Sequence, residues 1–139
     1  MWTIARREIE VEWGHCDPAG IVFNPRFFEW FDAATAGLFA HVGLPKALMV
    51  KRYDIVGIPL VDTRAKFIRP SKFGDRVTIE SRITEFRTSS FTVEHRLTNH
   101  GVLSVEGNEV RVWAARDPND ASRITARAIP PDLKALFGM

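Results

Sequence analysis

The sequence predicts an α+β domain in which an antiparallel sheet of about five strands wraps around one long buried helix. Segments of alternating apolar and polar residues recur along most of the chain and indicate strands. Short connections separate the later segments, which favours antiparallel pairing. One early stretch, 24–42, carries apolar residues around most of a helical circumference, which is typical of a helix buried on nearly every side.

The first predicted strand lies near the N-terminus. Ile9, Val11 and Trp13 fall on one of its faces, and glutamates at 8, 10 and 12 fall on the other. This period of two indicates a half-buried strand. It ends in a loop with two glycines and a proline, 14–20.

The long helix has clear start and stop signals. Asn24 is a favoured N-cap residue because its side chain accepts a hydrogen bond from an unpaired amide, and Pro25 is favoured at the first helical position. We expect this helix to run to about Val42 and to end at Gly43, with Pro45 just beyond. A short helix is predicted to follow over 46–52.

The remaining strands are separated by turns at regular spacing. They are predicted at about Ile58–Ile68, Arg76–Arg87, Ser90–Thr98 and Val102–Ala115, and are followed by a last strand or coil and a short helix at Pro131–Leu136. A sheet of this size around one helix leaves one face uncovered. We therefore expect a homodimer or homotetramer, with an edge strand as a plausible contact.

Length and composition fit one domain over residues 1–139. The formal charge is +2 and the basic residues are scattered, which argues against nucleic-acid binding. With no run of roughly 18 apolar residues and no secretory signal, the sequence predicts no membrane association and a cytoplasmic location. The single cysteine, Cys16, excludes an internal disulfide and has no metal-ligand spacing around it.

Several motifs resemble the hotdog-fold 4-hydroxybenzoyl-CoA thioesterases. They are Gly14-His15-Cys16-Asp17-Pro18-Ala19-Gly20-Ile21-Val22-Phe23-Asn24-Pro25, Trp30-Phe31-Asp32-Ala33-Ala34, Gly43-Leu44-Pro45, Val56-Gly57-Ile58-Pro59 and Glu109-Val110-Arg111-Val112, and together they span most of the chain. The resemblance implies a hotdog fold and a dimer that joins two sheets, often paired into a tetramer. It also implies active sites at the subunit interface and an aspartate, Asp17, that attacks the thioester or activates water.

The residues themselves also favour thioester chemistry at Asp17. A thioester carbonyl needs a nucleophile or base, together with a positive dipole where the oxyanion develops. Asp17 precedes the N-terminus of the predicted buried helix, where unpaired amides and partial positive charge are available. Pro25 has no amide, so the donor is Asn24 or a residue of the first turn, and the resemblance selects the backbone N–H of Asn24. The alternative is that Asp17 only forms an Asx turn before Pro18.

Neighbouring residues offer weaker alternatives. Cys16 is a conceivable nucleophile, but no base is evident for it, and a small buried thiol is the commoner case. His15 is a conceivable base, although a loop histidine is the simpler interpretation. His95 and His100 are interpreted as surface residues of a strand and a turn.

Substrate-binding residues follow mainly from the resemblance. Asp32 is expected to contact a polar group of the acyl moiety, with a helix-face carboxylate as the alternative. Coenzyme A carries phosphates that require Lys or Arg at the rim of the site. Arg87 matches an arginine of the family's basic hairpin, and Arg127 or Arg123 is expected to supply a second phosphate contact. The chain departs from the family where Thr88 and Ser89 replace further basic residues.

The predicted function is hydrolysis of an aryl acyl-CoA, such as 4-hydroxybenzoyl-CoA, to the free acid and coenzyme A. Asp17 is the predicted nucleophile or general base. No metal or organic cofactor is expected, because coenzyme A is part of the substrate. Two alternatives remain open, a short-chain aliphatic acyl-CoA thioesterase and a non-catalytic acyl-CoA-binding hotdog module, although a binder has no need of the Asp17 carboxylate.

Overall fold

The computed structural model describes residues 3–139, so residues 1 and 2 of the predicted domain lie outside the described residues. Strands are β1 (Ala5–Glu10), β2 (Leu60–Phe67), β3 (Arg76–Phe86), β4 (Ser90–Asn99), β5 (Val102–Val112), β6 (Ala114–Asp117) and β7 (Asp120–Ala126). Helices are α1 (Asn24–His41), α2 (Lys46–Tyr53) and α3 (Pro131–Leu136), with a 3-10 turn at Trp13–His15. The main sheet has the order β1-β3-β4-β5-β2 and is antiparallel throughout, while β6 and β7 form a separate hairpin. The predicted α+β architecture is confirmed.

Helix α1 packs its apolar residues against the concave face of the sheet. Phe31 is one per cent exposed and lies over β5 at Gly107, where a Cβ atom would come within 2.5 Å of the Phe31 ring. Glycine therefore permits the close approach of helix and strand at this point. The helix buries two core clusters, one around Phe31 and Val105 and the other around Phe39 and Trp113. Apolar burial of this kind is the main source of stability for the fold.

Two local predictions need correction. The first strand is β1, Ala5–Glu10, and Trp13 lies in the 3-10 turn with 69% of its surface exposed, so it does not share the buried face of Val11. The Val11 amide still donates to the Asp75 carbonyl in register with β3, and the chain then enters the 3-10 turn, where the amides of His15 and Cys16 donate to the carbonyls of Glu12 and Trp13. Asn24 is the first residue of α1 rather than its N-cap, which is Phe23, and no side chain caps this helix.

Strand β2 forms one edge of the sheet and is largely exposed along its length. It pairs with β5 on one side, from Leu60 opposite Arg111 to Phe67 opposite Val105. Its exposed apolar side chains include Leu60, Val61 and Phe67. An unpaired and partly apolar edge of this kind is suited to pairing with another strand.

Within residues 3–139, no single helix has both the length and the hydropathy needed to cross a membrane. Helices α1 and α2 meet the length and composition criteria only when taken together, and they are bent by 64° relative to each other.

Candidate active site

The segment before α1 folds into a small hairpin that carries Asp17 and leads directly into the helix. Cys16 and Val22 form an antiparallel bridge, the Phe23 amide donates to the His15 carbonyl at 2.9 Å, and the Asp17 amide donates to the Ile21 carbonyl at 2.9 Å. The chain between Asp17 and Asn24 is therefore held by backbone hydrogen bonds rather than left as an open loop. Gly20 has a φ of 83°, which explains the glycine at the tip of the hairpin.

The Asp17 side chain is half-buried and oriented by its own turn. Its Oδ1 atom accepts a hydrogen bond from the Ala19 amide at 2.8 Å, which is the Asx turn considered as the alternative role. The turn uses only Oδ1, and among residues 3–139 no hydrogen bond reaches Oδ2. The structural role of Asp17 is therefore compatible with a catalytic one.

The N-terminus of α1 presents an amide beside a small cavity. As the first residue of the helix, Asn24 has an N–H with no intrahelical acceptor, whereas the Arg26 amide already donates to the Phe23 carbonyl at 2.8 Å. A cavity of about 200 Å³ lies here, between Ile21 and Asn24 on one side and Phe67 and Ile68 on the other. Asp17 is not among the residues that line this cavity.

The loop between β2 and β3 supports this end of the site. The Val22 amide donates to the Ser71 carbonyl at 2.9 Å, and Ile21 forms a bridge with Lys72. Asp75 anchors the loop, because its Oδ2 accepts hydrogen bonds from the Lys72 amide at 3.0 Å and from Asn99 at 2.8 Å. Burial acts to raise the pKa of Asp75, but these hydrogen bonds lower it below the ordinary value of 3.8.

A larger cavity of about 400 Å³ lies at the opposite end of β2. Asp32, Thr35 and Phe39 of α1 form one wall, and the segment Val56–Leu60 with Arg111 of β5 forms another. Lys46 of α2 also lines it. Asp32 lies at this wall, with its Oδ1 accepting a hydrogen bond from Arg111 Nη2 at 2.7 Å, and its contact with an acyl group stays a prediction.

A buried polar network lies behind this wall. Glu109 accepts hydrogen bonds from Thr35 at 2.5 Å and from Arg111 at 3.0 and 3.1 Å. His95 Nε2 lies 3.3 Å from Glu109 Oε1, and its Nδ1 lies 2.6 Å from Ser81 Oγ. Burial opposes ionisation of Glu109, but hydrogen bonds from His95, Arg111 and Thr35 lower its pKa from 4.5 to about 2.

The interpretation of His95 as a surface residue is wrong, because its side chain is fully buried and stacks on Phe31 with ring centroids 4.8 Å apart. The alternation along the strands could have predicted this burial. His95 lies at an inward position in series with Phe91 and Val93, and Glu109 lies at one in series with Val105 and Gly107. A polar side chain on a buried face requires partners. The surface interpretation of His100 is confirmed, since its side chain is 81% exposed.

The two arginines predicted for phosphate binding lie at one end of the molecule. The Ile129 amide donates to the Thr88 carbonyl at 2.8 Å, which joins the chain after β7 to the β3–β4 turn beside Arg87. Arg87 is exposed and paired with Glu85 at 3.1 Å. Arg127 is more constrained, because its Nη1 donates to the carbonyls of Tyr53 and Asp54 at the end of α2.

The thiol of Cys16 has no base directed at it among the described residues. Its Sγ donates to the Glu12 carbonyl at 3.6 Å, and the neighbouring His15 Nδ1 accepts from the Glu12 amide at 2.9 Å. Within residues 3–139, no group of three or more His, Cys, Asp or Glu side chains is placed to hold a metal ion.

Comparison with known proteins identifies the family. The profile of the thioesterase-like superfamily matches residues 11–137. The chain belongs to this superfamily. The 4-hydroxybenzoyl-CoA thioesterase of Pseudomonas sp. strain CBS-3 is 40% identical over 129 residues, which cover 88% of this chain and 89% of the relative. The predicted resemblance and enzyme class, a thioester hydrolase, are confirmed.

Solved structures of thioesterase-superfamily proteins match the fold closely. The Pseudomonas enzyme superimposes with a TM-score of 0.86 over 96% of this chain and 98% of its own, at 34% identity in the structural alignment. A 4-hydroxybenzoyl-CoA thioesterase mutant, D17N, in complex with 4-hydroxybenzoyl-CoA gives a TM-score of 0.87. A gentisyl-coenzyme A thioesterase gives 0.81 at 30% identity, over 97% of this chain and all of its own. The predicted hotdog fold is confirmed.

Proposed function

We propose that this thioesterase-superfamily protein hydrolyses an aryl acyl-CoA carrying a hydroxyl group, such as 4-hydroxybenzoyl-CoA, to the free acid and coenzyme A. The observation that carries the proposal is the hydrogen-bonded hairpin, with the pairs Asp17–Ile21, Cys16–Val22 and His15–Phe23, that carries Asp17 and runs directly into the first residue of α1. The 40% identity to a 4-hydroxybenzoyl-CoA thioesterase supports the substrate class.

The proposed chemistry uses the Asp17 carboxylate and the Asn24 amide. The Asp17 carboxylate attacks the thioester carbon, the C–S bond breaks, and the thiolate of coenzyme A leaves and takes up a proton; water then hydrolyses the acyl–Asp17 anhydride. In the alternative, Asp17 accepts a proton from the water that attacks. In both cases the Asn24 N–H and the positive end of α1 stabilise the oxyanion that develops on the carbonyl. That a substrate complex exists for an Asp-to-Asn mutant of a 4-hydroxybenzoyl-CoA thioesterase supports a carboxylate in turnover.

A shared site between two subunits accounts for the separation of the two cavities. Leu60, at the start of β2, lines the larger cavity, and Phe67, at its end, lines the smaller one beside Asn24. If two β2 edges pair antiparallel about a two-fold axis near residues 63–64, Leu60 of one protomer lies opposite Phe67 of its partner. The Asp32 cavity of one protomer is then next to the Asp17 hairpin of the other. This geometry supports a homodimer or a homotetramer built from such dimers.

Each remaining predicted residue has a role in this assembly. The larger cavity accepts the acyl group, with Asp32 as the acceptor of its hydroxyl hydrogen. Arg87 contacts the phosphates of coenzyme A at the rim, and Arg127 supports the same end of the site through the carbonyls that it already binds. The chemistry uses protein side chains and amides alone, so the proposal requires no cofactor.

The proposal is tested by measuring release of free coenzyme A thiol with three substrates, 4-hydroxybenzoyl-CoA, benzoyl-CoA and a short aliphatic acyl-CoA. We expect the highest kcat/KM with the hydroxylated aryl substrate. A clear preference for the aliphatic substrate would contradict the aryl assignment. Tight binding of all three without thiol release would contradict the enzyme assignment and favour a binding module.

A further inference from the structure

Asp32 combines high exposure with a fixed position. Its side chain is 72% exposed at the wall of the larger cavity, yet Oδ1 lies 2.7 Å from Nη2 of Arg111, whose side chain is only 7% exposed. Exposed ion pairs are usually mobile because both side chains are long and solvated. Here the cationic partner is buried, so the exposed carboxylate is held by a rigid group.

The side chain of Arg111 is held in place by three hydrogen bonds besides the one to Asp32. Its Nε and Nη2 donate to Glu109 at 3.0 and 3.1 Å, and its Nη1 donates to the Ile58 carbonyl at 3.0 Å. Burial acts to lower the pKa of Arg111, but Glu109 and Asp32 raise it above the ordinary value, so the guanidinium stays charged. Thr35 and His95 hold Glu109 from behind.

The pair therefore exposes a hydrogen-bond acceptor, the Asp32 carboxylate, while the Arg111 guanidinium is buried. An ionised carboxylate accepts hydrogen bonds and donates none. Among residues 3–139, no hydrogen bond reaches Asp32 Oδ2, so this oxygen is open towards the cavity. Arg111 lines the same cavity, but its Nη2 is directed at Asp32.

We propose that Arg111 is a positioning residue for Asp32 and that the two form one specificity-determining unit for the acyl group. With the pair intact, the cavity selects an acyl group whose distal atom donates a hydrogen bond. The inference rests on the proposed aryl acyl-CoA hydrolysis and adds to it the role of Arg111. Neither residue touches the reacting thioester in this account, so the unit acts on selectivity rather than on the chemical step.

Removal of the Asp32 carboxylate is expected to change which acyl group the cavity prefers, rather than only to reduce the preference for 4-hydroxybenzoyl-CoA. The Asp32→Ala variant leaves Arg111 paired with Glu109 but frees the Nη2 hydrogen that Asp32 accepts, at a cavity wall where Lys46 supplies a second positive charge. A cavity with free cationic donors favours an acyl group with a distal carboxylate. The variant is therefore expected to gain activity towards 4-carboxybenzoyl-CoA relative to 4-hydroxybenzoyl-CoA.

The experiment measures kcat/KM for benzoyl-, 4-hydroxybenzoyl- and 4-carboxybenzoyl-CoA in the wild type, Asp32→Ala, Arg111→Lys and the paired variant Glu109→Gln/Arg111→Met. The paired variant avoids leaving a buried carboxylate without its cation. Arg96→Lys serves as the control, because Arg96 is an exposed strand arginine paired with Glu106 and lies outside the cavity.

We expect both Arg111 variants to lose roughly ten- to hundredfold of the preference for 4-hydroxybenzoyl- over benzoyl-CoA, the scale of a hydrogen bond to a charged group. Benzoyl-CoA hydrolysis is expected to change much less, whereas a merely structural role would lower both substrates equally. Equal losses, or an unchanged carboxybenzoyl ratio in Asp32→Ala, would overturn the inference. Failure of the wild type to hydrolyse any of the three would instead contradict the proposed function.

Discussion

Asp17 and Asp117 form the same turn in two different surroundings. Each is followed by proline, and each accepts a hydrogen bond at Oδ1 from the amide two residues later, Ala19 or Asn119, at 2.8 Å. Asp117 lies at the β6–β7 turn, whereas Asp17 lies in the hairpin that leads into α1. The Asx turn alone therefore does not distinguish a catalytic aspartate, and the two residues form a matched pair for experiment.

The close approach of α1 to β5 predicts a selective effect of glycine substitution. A Cβ atom at Gly107 would lie 2.5 Å from Phe31 Cε2 and 2.8 Å from Cδ2, and the buried ring has no open space in which to move. Gly107→Ala is expected to lower the free energy of unfolding by about 1–3 kcal/mol. Urea denaturation followed by circular dichroism measures this change.

Gly37→Ala is the control for that experiment. Gly37 lies inside α1, and a Cβ atom there would meet no atom within 4 Å. The substitution is expected to be neutral or to stabilise by about 0.5–1 kcal/mol, because alanine is the better helix former. Equal effects at the two glycines would contradict the described packing of Phe31.

The buried Glu109 predicts a specific pH dependence of stability. Its pKa is about 2 in the folded protein and near 4.5 when unperturbed. Since the folded value is lowered, the stabilisation is fully present above about pH 4.5 and is lost as the pH falls towards 2. In Glu109→Gln this contribution is absent, so the difference in unfolding free energy from wild type is expected to shrink steadily between pH 5 and pH 2.

Glu106→Gln provides the comparison, because Glu106 pairs with Arg96 on the exposed side of the sheet. Exposed pairs of this kind contribute little, so its stability is expected to follow the wild type across the same range. A Glu109→Gln curve parallel to wild type down to pH 2 would show that folding does not lower the pKa of Glu109.

Cys16 is expected to be dispensable for catalysis. Its thiol donates to the Glu12 carbonyl, and the nearest histidine in sequence, His15, is occupied by the Glu12 amide. Cys16→Ser retains a small side chain that can make the same hydrogen bond, so most of kcat should remain. A loss of two or more decades in steady-state kcat, with the circular dichroism spectrum unchanged, would point to a cysteine mechanism.

The sequence predicts the elements of this fold well, because each carries a local signal. Alternation marks β3 and β4 to within one residue, and Gly43 marks the end of α1, whereas the predicted strand Val102–Ala115 divides into β5, which ends at Val112, and the start of β6. The exception at Trp13 has a physical cause. Alternation continues to this residue, but after Val11 the chain enters the 3-10 turn Trp13–His15, and the alternating pattern does not reveal where that turn begins.

The site was predictable only in part, for a related reason. Asp17 and Asn24 belong to one contiguous motif, so a local pattern in the sequence is enough to predict both. The Asp32–Arg111 contact joins residues 79 positions apart, and the Thr35–Glu109 contact joins residues 74 apart. Polar residues at inward strand positions indicate that buried hydrogen-bond partners must exist. The packing of α1 on the sheet determines which residues become those partners.

A shared active site predicts that two defective variants restore activity when mixed. In a hybrid dimer of Asp17→Asn and Asp32→Ala protomers, one site carries both substitutions and the other carries neither. After unfolding and reassembly of an equal mixture, activity towards 4-hydroxybenzoyl-CoA should rise to about a quarter of wild type by random pairing. No gain over the separate variants, or light scattering that shows an active monomer, would contradict the shared site.

The role of Asp17 is tested most directly by comparing kcat for 4-hydroxybenzoyl-CoA in Asp17→Asn and Asp117→Asn. Both substitutions leave an amide oxygen that can preserve the Asx turn, so local structure changes equally little in the two variants. We predict that Asp17→Asn loses roughly two or more decades of kcat with a smaller change in KM, because an amide neither attacks a thioester nor accepts a proton from water. Asp117→Asn should match the wild type, and near-normal turnover by Asp17→Asn would contradict the proposed mechanism.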